Sequence, residues 1–224
     1  MKKHRVVKRR YDDACGTAHG LELLGDRWAL LILRELLLGA RRFSQLRADL
    51  PGLSANILTQ RLVELETRGL LIHKELPPPA SVHVYELTPW GYEAEPITQA
   101  MGRWAARSPH HDLTLRISGV SLLLSFRTML DPVRAKGIDA EVGFRFGSDA
   151  YRGRLTSRGF AIAQGDPANA QVVFVGSPMV IGAAVHGGVR IAELEKAGKL
   201  AVVGDRKLAQ RFTTLFPLPK KLRN

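Results

Sequence analysis

A helix-breaking dipeptide, Pro51-Gly52, separates two helical patterns, and this constrains the fold more than any other feature of the chain. Proline lacks a backbone donor and glycine tolerates unusual φ values, so the pair ends a short helix predicted over 43–49. Ser54 then stands where its hydroxyl can cap a second helix by accepting a hydrogen bond from a free backbone N–H. The spacing therefore predicts two helices joined by a tight turn.

The second predicted helix has an apolar side, and a hairpin follows it. Leu58, Leu62 and Leu65 recur at helical spacing and are predicted to face the core, and Gly69 suits a C-cap. Two strand patterns, 70–76 and 82–88, flank a proline-rich turn and predict a β-wing. This order predicts an N-terminal winged helix-turn-helix, mostly α with a β-wing.

The polar side of the second helix carries small and amide side chains near its N-terminus. Amides can pair bidentately with adenine, and short side chains let a backbone come close to a groove, so double-stranded DNA is the expected partner. The alternative is a helical hairpin beside a β-hairpin with no nucleic-acid role. The predicted DNA contacts are Arg41, Arg42, Ser54, Ala55, Asn56, Thr59, Gln60, Arg61, Lys74 and His83.

The formal net charge of +12 favours a polyanionic partner, but it is unevenly spread. Residues 1–10 carry +6, residues 11–111 carry −2 and residues 112–224 carry +8. DNA binding by the helix-turn-helix must therefore depend on the positions of individual basic side chains and not on the overall charge of this region. A basic arm, 1–13, could follow phosphates or enter a minor groove, or it could be a solubilising tail.

Composition also narrows the class of protein. No apolar run approaches the ~20 residues that span a membrane, and the N-terminus lacks the pattern of a signal peptide, so the cytoplasm is expected. The single cysteine excludes an internal disulfide and a multi-cysteine zinc site. No catalytic triad, nucleotide-binding glycine motif or metal-ligand spacing stands out, so we expect no enzyme, no cofactor and no metal.

A helix predicted from Pro89 to about Ala106, kinked at Pro96, completes a first domain over 14–108. Its residues Ile97, Met101 and Trp104 share one face. That face suits a homodimer, although it could instead pack within its own chain.

The remainder, 113–224, predicts an α+β domain with an antiparallel sheet. An apolar helical segment ends before Pro132, and three strand patterns follow over 140–165. Another strand, two short helices, a strand over 199–203 and a last helix capped by Asp205 and reaching Phe216 complete the pattern.

The first domain resembles the HxlR-type winged-helix transcription regulators, relatives of the MarR group. The resemblance is carried by Cys15, Leu46, Gly91 and the segments 23–28, 30–36, 41–43, 50–54, 58–62, 65–66, 69–71 and 85–89. It implies a dimeric DNA-binding repressor or activator with residues 54–61 in the major groove and the wing on the DNA backbone.

The resemblance also implies a role for Cys15. The family usually has Cys-Pro at this helix start, where this chain has Cys15-Gly16, and in some relatives the thiol senses oxidants or electrophiles. A helix N-terminus would favour the reactive thiolate. The alternative is an inert, buried cysteine.

The second domain resembles the sterol-carrier-protein fold, on the order of its strands, the segment 166–174 and the pattern from Gly198 to Asp205. That resemblance implies a cavity for an apolar ligand, whereas the same residues would also suit an ordinary core. The candidate lining residues are Phe144, Phe160, Phe174, Met179, Ile181, Val185 and Phe212.

The function expected from these features is a dimeric regulator on a pseudo-palindromic operator whose second domain senses an apolar ligand. Three alternatives remain open: sensing through Cys15, a purely structural second domain, and a lipid-binding carrier.

Overall fold

The computed structural model describes residues 11–78 and 81–222, which form two compact units. Described residues 11–36 and 40–94 form the first unit, and residues 37–39 and 95–222 form the second. Most of the predicted N-terminal arm, residues 1–10, lies outside the described residues. No helix in the described residues is long and apolar enough to cross a membrane.

The first unit is a winged helix-turn-helix, as predicted. Its core is made largely of leucines, with Leu58, Leu62 and Leu65 at most 1% exposed. The two wing strands pair antiparallel. The elements are α1 (Gly16–Leu24), α2 (Ala29–Leu36), α3 (Phe43–Asp49), α4 (Ala55–Thr67), β1 (Leu71–Glu75), β2 (His83–Leu87) and α5 (Pro89–Tyr92).

Local signals set the ends of these helices. The Ser54 hydroxyl accepts a hydrogen bond from the Ile57 amide at 3.3 Å, which confirms the predicted cap of α4. Gly69 follows α4 with φ +74°, a conformation that glycine adopts without strain. Thr88 caps α5 by accepting from the Gly91 amide at 3.0 Å.

The single kinked helix predicted over 89–106 is wrong, because the chain forms two helices there. A turn at Glu93–Ala94 separates α5 from α6 (Glu95–Ala105), and Pro96 lies in the first turn of α6. A proline is tolerated in a first turn, where its missing N–H would have no helical partner, but not inside a longer helix.

The second unit packs helices against one face of a five-stranded sheet of order β5-β4-β3-β6-β7. Helix α7 (Gly119–Met129) starts at the Ser118 cap, so it is shorter than the apolar segment suggested. The last helix also ends before the predicted Phe216. The other elements are β3 (Asp139–Phe146), β4 (Asp149–Thr156), β5 (Gly159–Gln164), β6 (Val172–Gly176), α8 (Pro178–Val185), α9 (Ile191–Lys196), β7 (Leu200–Gly204) and α10 (Arg206–Phe212).

The expectation of an antiparallel sheet needs correction at one pairing. Strands β3 and β6 are parallel, whereas the other neighbouring pairs are antiparallel. The segment 165–171 returns the chain from the β5 edge to β6, and Pro167 packs against Gly143 of β3 on the way. A short loop can therefore serve as a crossover connection, which local turn signals do not predict.

Charged side chains cover backbone groups at both sheet edges. On β5, Arg127 donates to the carbonyls of Phe160 at 3.2 Å and Ile162 at 2.6 Å. On β7, the Glu195 carboxylate accepts from the Val202 amide and pairs with Arg206, and the Arg206 contact is the main reason that the pKa of Glu195 is lowered. Such coverage discourages pairing of an open edge with another chain.

Helix α6 belongs to the second unit, whereas the sequence placed the end of the first domain at 108. The Glu95 carboxylate pairs with Arg127 of α7 at 2.6 Å, and the Arg103 guanidinium donates to the carbonyl of Thr128. These contacts depend on long-range packing and leave no local signal at the boundary.

Candidate nucleic-acid interface

Helix α4 presents the predicted polar side to solvent. Asn56, Thr59 and Gln60 are exposed. At the N-terminus of the helix, Ser54 is exposed and Ala55 is half-buried. Two apolar residues that are not among the predicted DNA contacts, Ile57 at 40% and Val63 at 54%, are exposed on the same helix. Apolar side chains in such a position could contact thymine methyl groups.

The polar side chains of α4 differ in whether they already form hydrogen bonds within the chain. The Thr59 hydroxyl donates to the Ala55 carbonyl at 3.0 Å, and the Gln60 amide donates to the Glu64 carboxylate at 2.9 Å. For the exposed amide of Asn56, the described part of the chain provides no such side-chain hydrogen bond. Asn56 is therefore the α4 amide that can meet a base edge without first breaking an internal contact.

Arg61 has a structural role inside the first unit. Its guanidinium pairs with Asp26 at 2.9 Å and also with Glu64, and its side chain is 20% exposed. The ion pair joins α4 to the turn before α2. A phosphate would have to compete with two carboxylates, so the predicted DNA contact at Arg61 gains no support from its geometry.

The predicted DNA contact at Arg41 is wrong, because this residue is 1% exposed. Its guanidinium pairs with Asp49 at the end of α3, and its backbone exchanges two hydrogen bonds with Tyr85, at 2.9 and 2.8 Å. A buried arginine needs such a partner, and here the pair ties α3 to the wing. Arg42, the next residue, is exposed and remains available to a phosphate.

The wing carries the two remaining predicted contacts, Lys74 and His83. Lys74 pairs with Glu86 on the neighbouring strand, which offsets its charge, while His83 is exposed. The structure also brings His73 next to His83, with 5.1 Å between ring centroids. The sequence analysis did not select His73, although cross-strand register could have indicated it.

Cys15 is exposed at the N-cap position of α1, so the alternative of a buried cysteine is wrong, and whether its thiol reacts stays a prediction. The backbone amide of Ala18 and then the amide and hydroxyl of Thr17 lower the pKa of its thiol, because they stabilise the thiolate. A lowered pKa increases the fraction of reactive thiolate near neutral pH.

The apolar candidates of the second unit form a packed aromatic cluster. Ring centroids of Phe144 lie 5.6 Å from Phe174 and 5.7 Å from Phe212, and all three residues are at most 1% exposed. Phe160, Ile181 and Val185 are buried as well, whereas Met179 is half-buried. The four phenylalanines are thus brought together in the arrangement of a filled core.

Two clefts on the surface of this unit lie largely away from the aromatic cluster. A cleft of about 620 Å³ is lined mainly by polar and small residues of β3, β4, β5 and the following loop, including Arg152 and Glu141. A smaller one of about 420 Å³ includes Arg158 and reaches Phe160. Of the predicted lining residues, only Phe160 borders either cleft in the described part of the unit.

The side chains of Ser125 and His186 are hydrogen-bonded to each other in the second unit. The Ser125 hydroxyl donates to the Leu122 carbonyl at 2.7 Å. His186 Nε2 lies 3.0 Å from the hydroxyl oxygen of Ser125. Burial lowers the pKa of His186. Within the described ranges, no group of three side chains could hold a metal ion. That the chain is not an enzyme stays a prediction.

Comparisons with known proteins match the helix-turn-helix region. The family model of the HxlR-like helix-turn-helix matches residues 23–112. The uncharacterized HTH-type transcriptional regulator sll1512 of Synechocystis is 42% identical over 39% of this chain and 64% of its own length, just under two thirds. The corresponding regulator YvaP of Bacillus subtilis is 38% identical over 38% of this chain and 79% of its own.

A solved structure is also similar to part of this chain. The reduced form of the transcriptional regulator YodB from B. subtilis is 30% identical, covers 45% of this chain and all of its own, and has a TM-score of 0.40. The sequence matches, with the helix-turn-helix and wing seen in the first unit, identify the chain as a member of the HxlR-like helix-turn-helix transcriptional regulators.

Proposed function

We propose that this DNA-binding regulator acts as a homodimer on a pseudo-palindromic operator, with the N-terminal half of α4 in the major groove. The observation that carries the proposal is the exposed row of Asn56, Thr59 and Gln60 on a helix whose opposite side is fully buried. An asparagine or glutamine amide can donate to and accept from one adenine at the same time. This row thus provides a means of reading sequence.

An exposed apolar face supports the dimer. Ile97, Met101 and Trp104 follow helical spacing on α6 and are 50%, 53% and 76% exposed. Large apolar groups grouped on one helix face usually mark an interface. In a two-fold dimer the two recognition helices would reach half-sites about one helical turn, ~34 Å, apart.

Selection of bound fragments from random duplex DNA at about 150 mM salt tests this proposal, since non-specific phosphate binding is weak there. We expect an inverted-repeat motif. Asn56→Ala should cost about 1–3 kcal/mol in operator binding and relax the preference at one position of each half-site. Thr67→Ala, at the other end of α4, is the matched control. Recovery of no motif, or equal motifs for wild type and Asn56→Ala, would contradict the proposal.

A second candidate function is the sensing of an apolar ligand by the second unit. It is supported by α8, where the apolar residues Met179, Val180 and Ala183 are only half-buried and could move to admit a ligand. The closed aromatic cluster favours a structural module instead. Mass spectrometry of lipid extracts from the purified protein separates the two. A stoichiometric apolar molecule would support sensing, or a carrier if no motif is found, and an empty protein would favour the structural module.

The exposed, acidified thiol of Cys15 favours a different sensor. Modification of Cys15 by an oxidant or electrophile would then change operator affinity. The test compares release of wild type and Cys15→Ser from the selected operator after treatment with a quinone or hydrogen peroxide. Release of wild type alone supports this candidate, whereas equal release of both proteins removes it.

A further inference from the structure

The loop 165–171 forms a wall on the face of the second unit's sheet that lies opposite the aromatic cluster. Pro167 packs on this face against Gly143, where an added Cβ would lie 2.3 Å from Pro167 Cβ. Beside it, the Asp166 carboxylate pairs with Arg145 of β3 at 2.7 Å. These contacts hold the loop on the sheet, so the wall is present before any ligand binds.

Small side chains on the edge strand β5 form a shelf beside this wall. The register places Arg152 of β4 opposite Ala163 and Arg154 opposite Ala161, and all four residues are exposed. Because the two alanines have no side chain beyond Cβ, a cleft of about 620 Å³ opens among β4, β5 and the loop. Ligand pockets usually have volumes of about 300–1,000 Å³, so this cleft has room for a small molecule.

Most of the charged groups at the cleft already have partners. Arg127 pairs with Glu95 at 2.6 Å. Arg154 donates two hydrogen bonds to Asp139, each of 2.6 Å, and this contact is the main reason that the pKa of Arg154 is raised. Glu141 stands opposite Arg154 in the register, and its charge adds to the same effect. These two arginines are therefore occupied, and each of the three carboxylates lies beside a cation.

Arg152 is the exception among the arginines of the cleft. Within residues 11–78 and 81–222, no carboxylate lies within ion-pair distance of its guanidinium. Its stem packs against the loop, because its Nε lies 3.2 Å from the position that a Cβ of Gly165 would take. The exposed amide of Asn169, also on the loop, forms no side-chain hydrogen bond with the described residues. A guanidinium and an amide N–H are both donors, which an acceptor-only anion requires.

We infer that this cleft binds a small organic anion, a carboxylate or a phosphate ester with a flat apolar body. The anionic group pairs with Arg152 and accepts from the Asn169 amide, and the body lies on Ala161 and Ala163. The planar fork of a guanidinium matches two oxygens of either anion. The site is on the opposite side of the sheet from the aromatic cluster, so its ligand differs from the apolar one of the second candidate function. The inference concerns the second unit alone and does not depend on operator binding.

Amide chemical shifts of the isotopically labelled full chain test the inference, in titrations with benzoate, phenyl phosphate, acetate and inorganic phosphate. We expect the two aromatic anions to shift the amides of Gly153, Ala161 and Ala163. They should bind roughly ten times more tightly than acetate and inorganic phosphate, because the ring buries apolar surface on the alanines. Comparison of benzoate with phenyl phosphate distinguishes a carboxylate ligand from a phosphate ester.

Two variants separate the charged contact from the shelf. Arg152→Gln should weaken binding of both aromatic anions by about tenfold to a hundredfold, as expected when a charged hydrogen-bonding partner is lost. Ala161→Leu should fill the shelf and remove the preference for an aromatic anion, while Arg152 remains. Arg190→Gln, which removes an exposed arginine outside the cleft, is the matched control and should bind as wild type does.

Circular dichroism checks that each variant remains folded. The inference is overturned if the aromatic anions shift no amide of the cleft, or if Arg152→Gln binds them as tightly as wild type. It is also overturned if Arg152→Gln weakens binding to duplex DNA with no small anion added, because the cleft would then be a DNA contact.

Discussion

Arg41 and Arg42 are sequence neighbours of the same type, yet they occupy opposite environments. Arg41 is enclosed and paired with Asp49, whereas Arg42 faces solvent before α3. Composition and local pattern treat the two alike, so both were predicted to contact DNA. The difference arises because the backbone of Arg41 bridges to Tyr85, which turns its side chain toward the interior.

Substitution of these two arginines should separate a structural role from a binding role. Arg41→Ala leaves Asp49 without its buried partner and should destabilise the first unit by about 3–5 kcal/mol. Arg42→Ala should change stability by no more than about 0.5 kcal/mol and should weaken DNA binding instead. Urea unfolding measures the first quantity and anisotropy the second. Equal stabilities of the two variants would show that the Arg41 pair is not stabilising.

The thiol of Cys15 should react at lower pH than an ordinary cysteine. Its lowered pKa means that the thiolate is present below the usual range, and its reaction with iodoacetamide should slow only as pH falls through that lowered value. Thr17→Val removes the hydroxyl contribution and should move the midpoint upward. Alkylation rates of the folded and the urea-unfolded protein across pH give the comparison. Identical midpoints would rule out acidification by the helix start.

At the scale of elements, the crossover between β5 and β6 depends on the close approach of Pro167 in the loop to Gly143 of β3. A Cβ added to Gly143 would lie 2.3 Å from Pro167 Cβ, so the loop could not keep its place over β3. The Arg145–Asp166 ion pair at 2.7 Å and the Gln171 amide bonded to the Glu141 carbonyl at 2.9 Å hold the loop on either side. The parallel pairing of β3 with β6 therefore needs a residue without a side chain at position 143.

Gly143→Ala should destabilise the second unit by about 1–3 kcal/mol, the usual cost of overpacking. Gly102→Ala is the contrasting change within the same unit, because the added methyl on α6 meets nothing within 4 Å. It should stabilise the helix by up to about 1 kcal/mol. Thermal unfolding of both variants tests whether Gly143→Ala lowers the stability and Gly102→Ala raises it. A Gly143→Ala protein as stable as wild type would mean that the loop moves freely.

At the scale of the whole molecule, the exposed face of α6 predicts self-association. Trp104→Arg combined with Met101→Glu places charges where the apolar face would be buried, and should shift the protein from dimer to monomer. Sedimentation velocity measures the shift, and operator affinity should fall with it because two half-sites are no longer bound together. Val133→Glu, at another highly exposed apolar residue, is the control. A monomeric wild type would exclude this interface.

Local chemistry made much of this protein predictable from sequence. The caps at Ser54, Thr88 and Asp205 form as their residue types predict, since each hydroxyl or carboxylate accepts from an amide within the next three residues. The helical spacing of the buried leucines located α4, and apolar runs bounded by glycines located the strands. The exposed amides of α4 follow from the same periodicity, so that part of the candidate site was predictable as well.

The tertiary structure decided what depends on contacts between distant residues. The buried Arg41–Asp49 pair with its Tyr85 bridge and the parallel β3–β6 pair each join segments that no local pattern connects. The sequence by itself determined the helix-turn-helix, its wing and most other elements, because propensity and capping act over a few residues. Which charges remain free to meet a partner was decided only by folding, because a salt bridge or a buried environment is created when distant parts of the chain pack together.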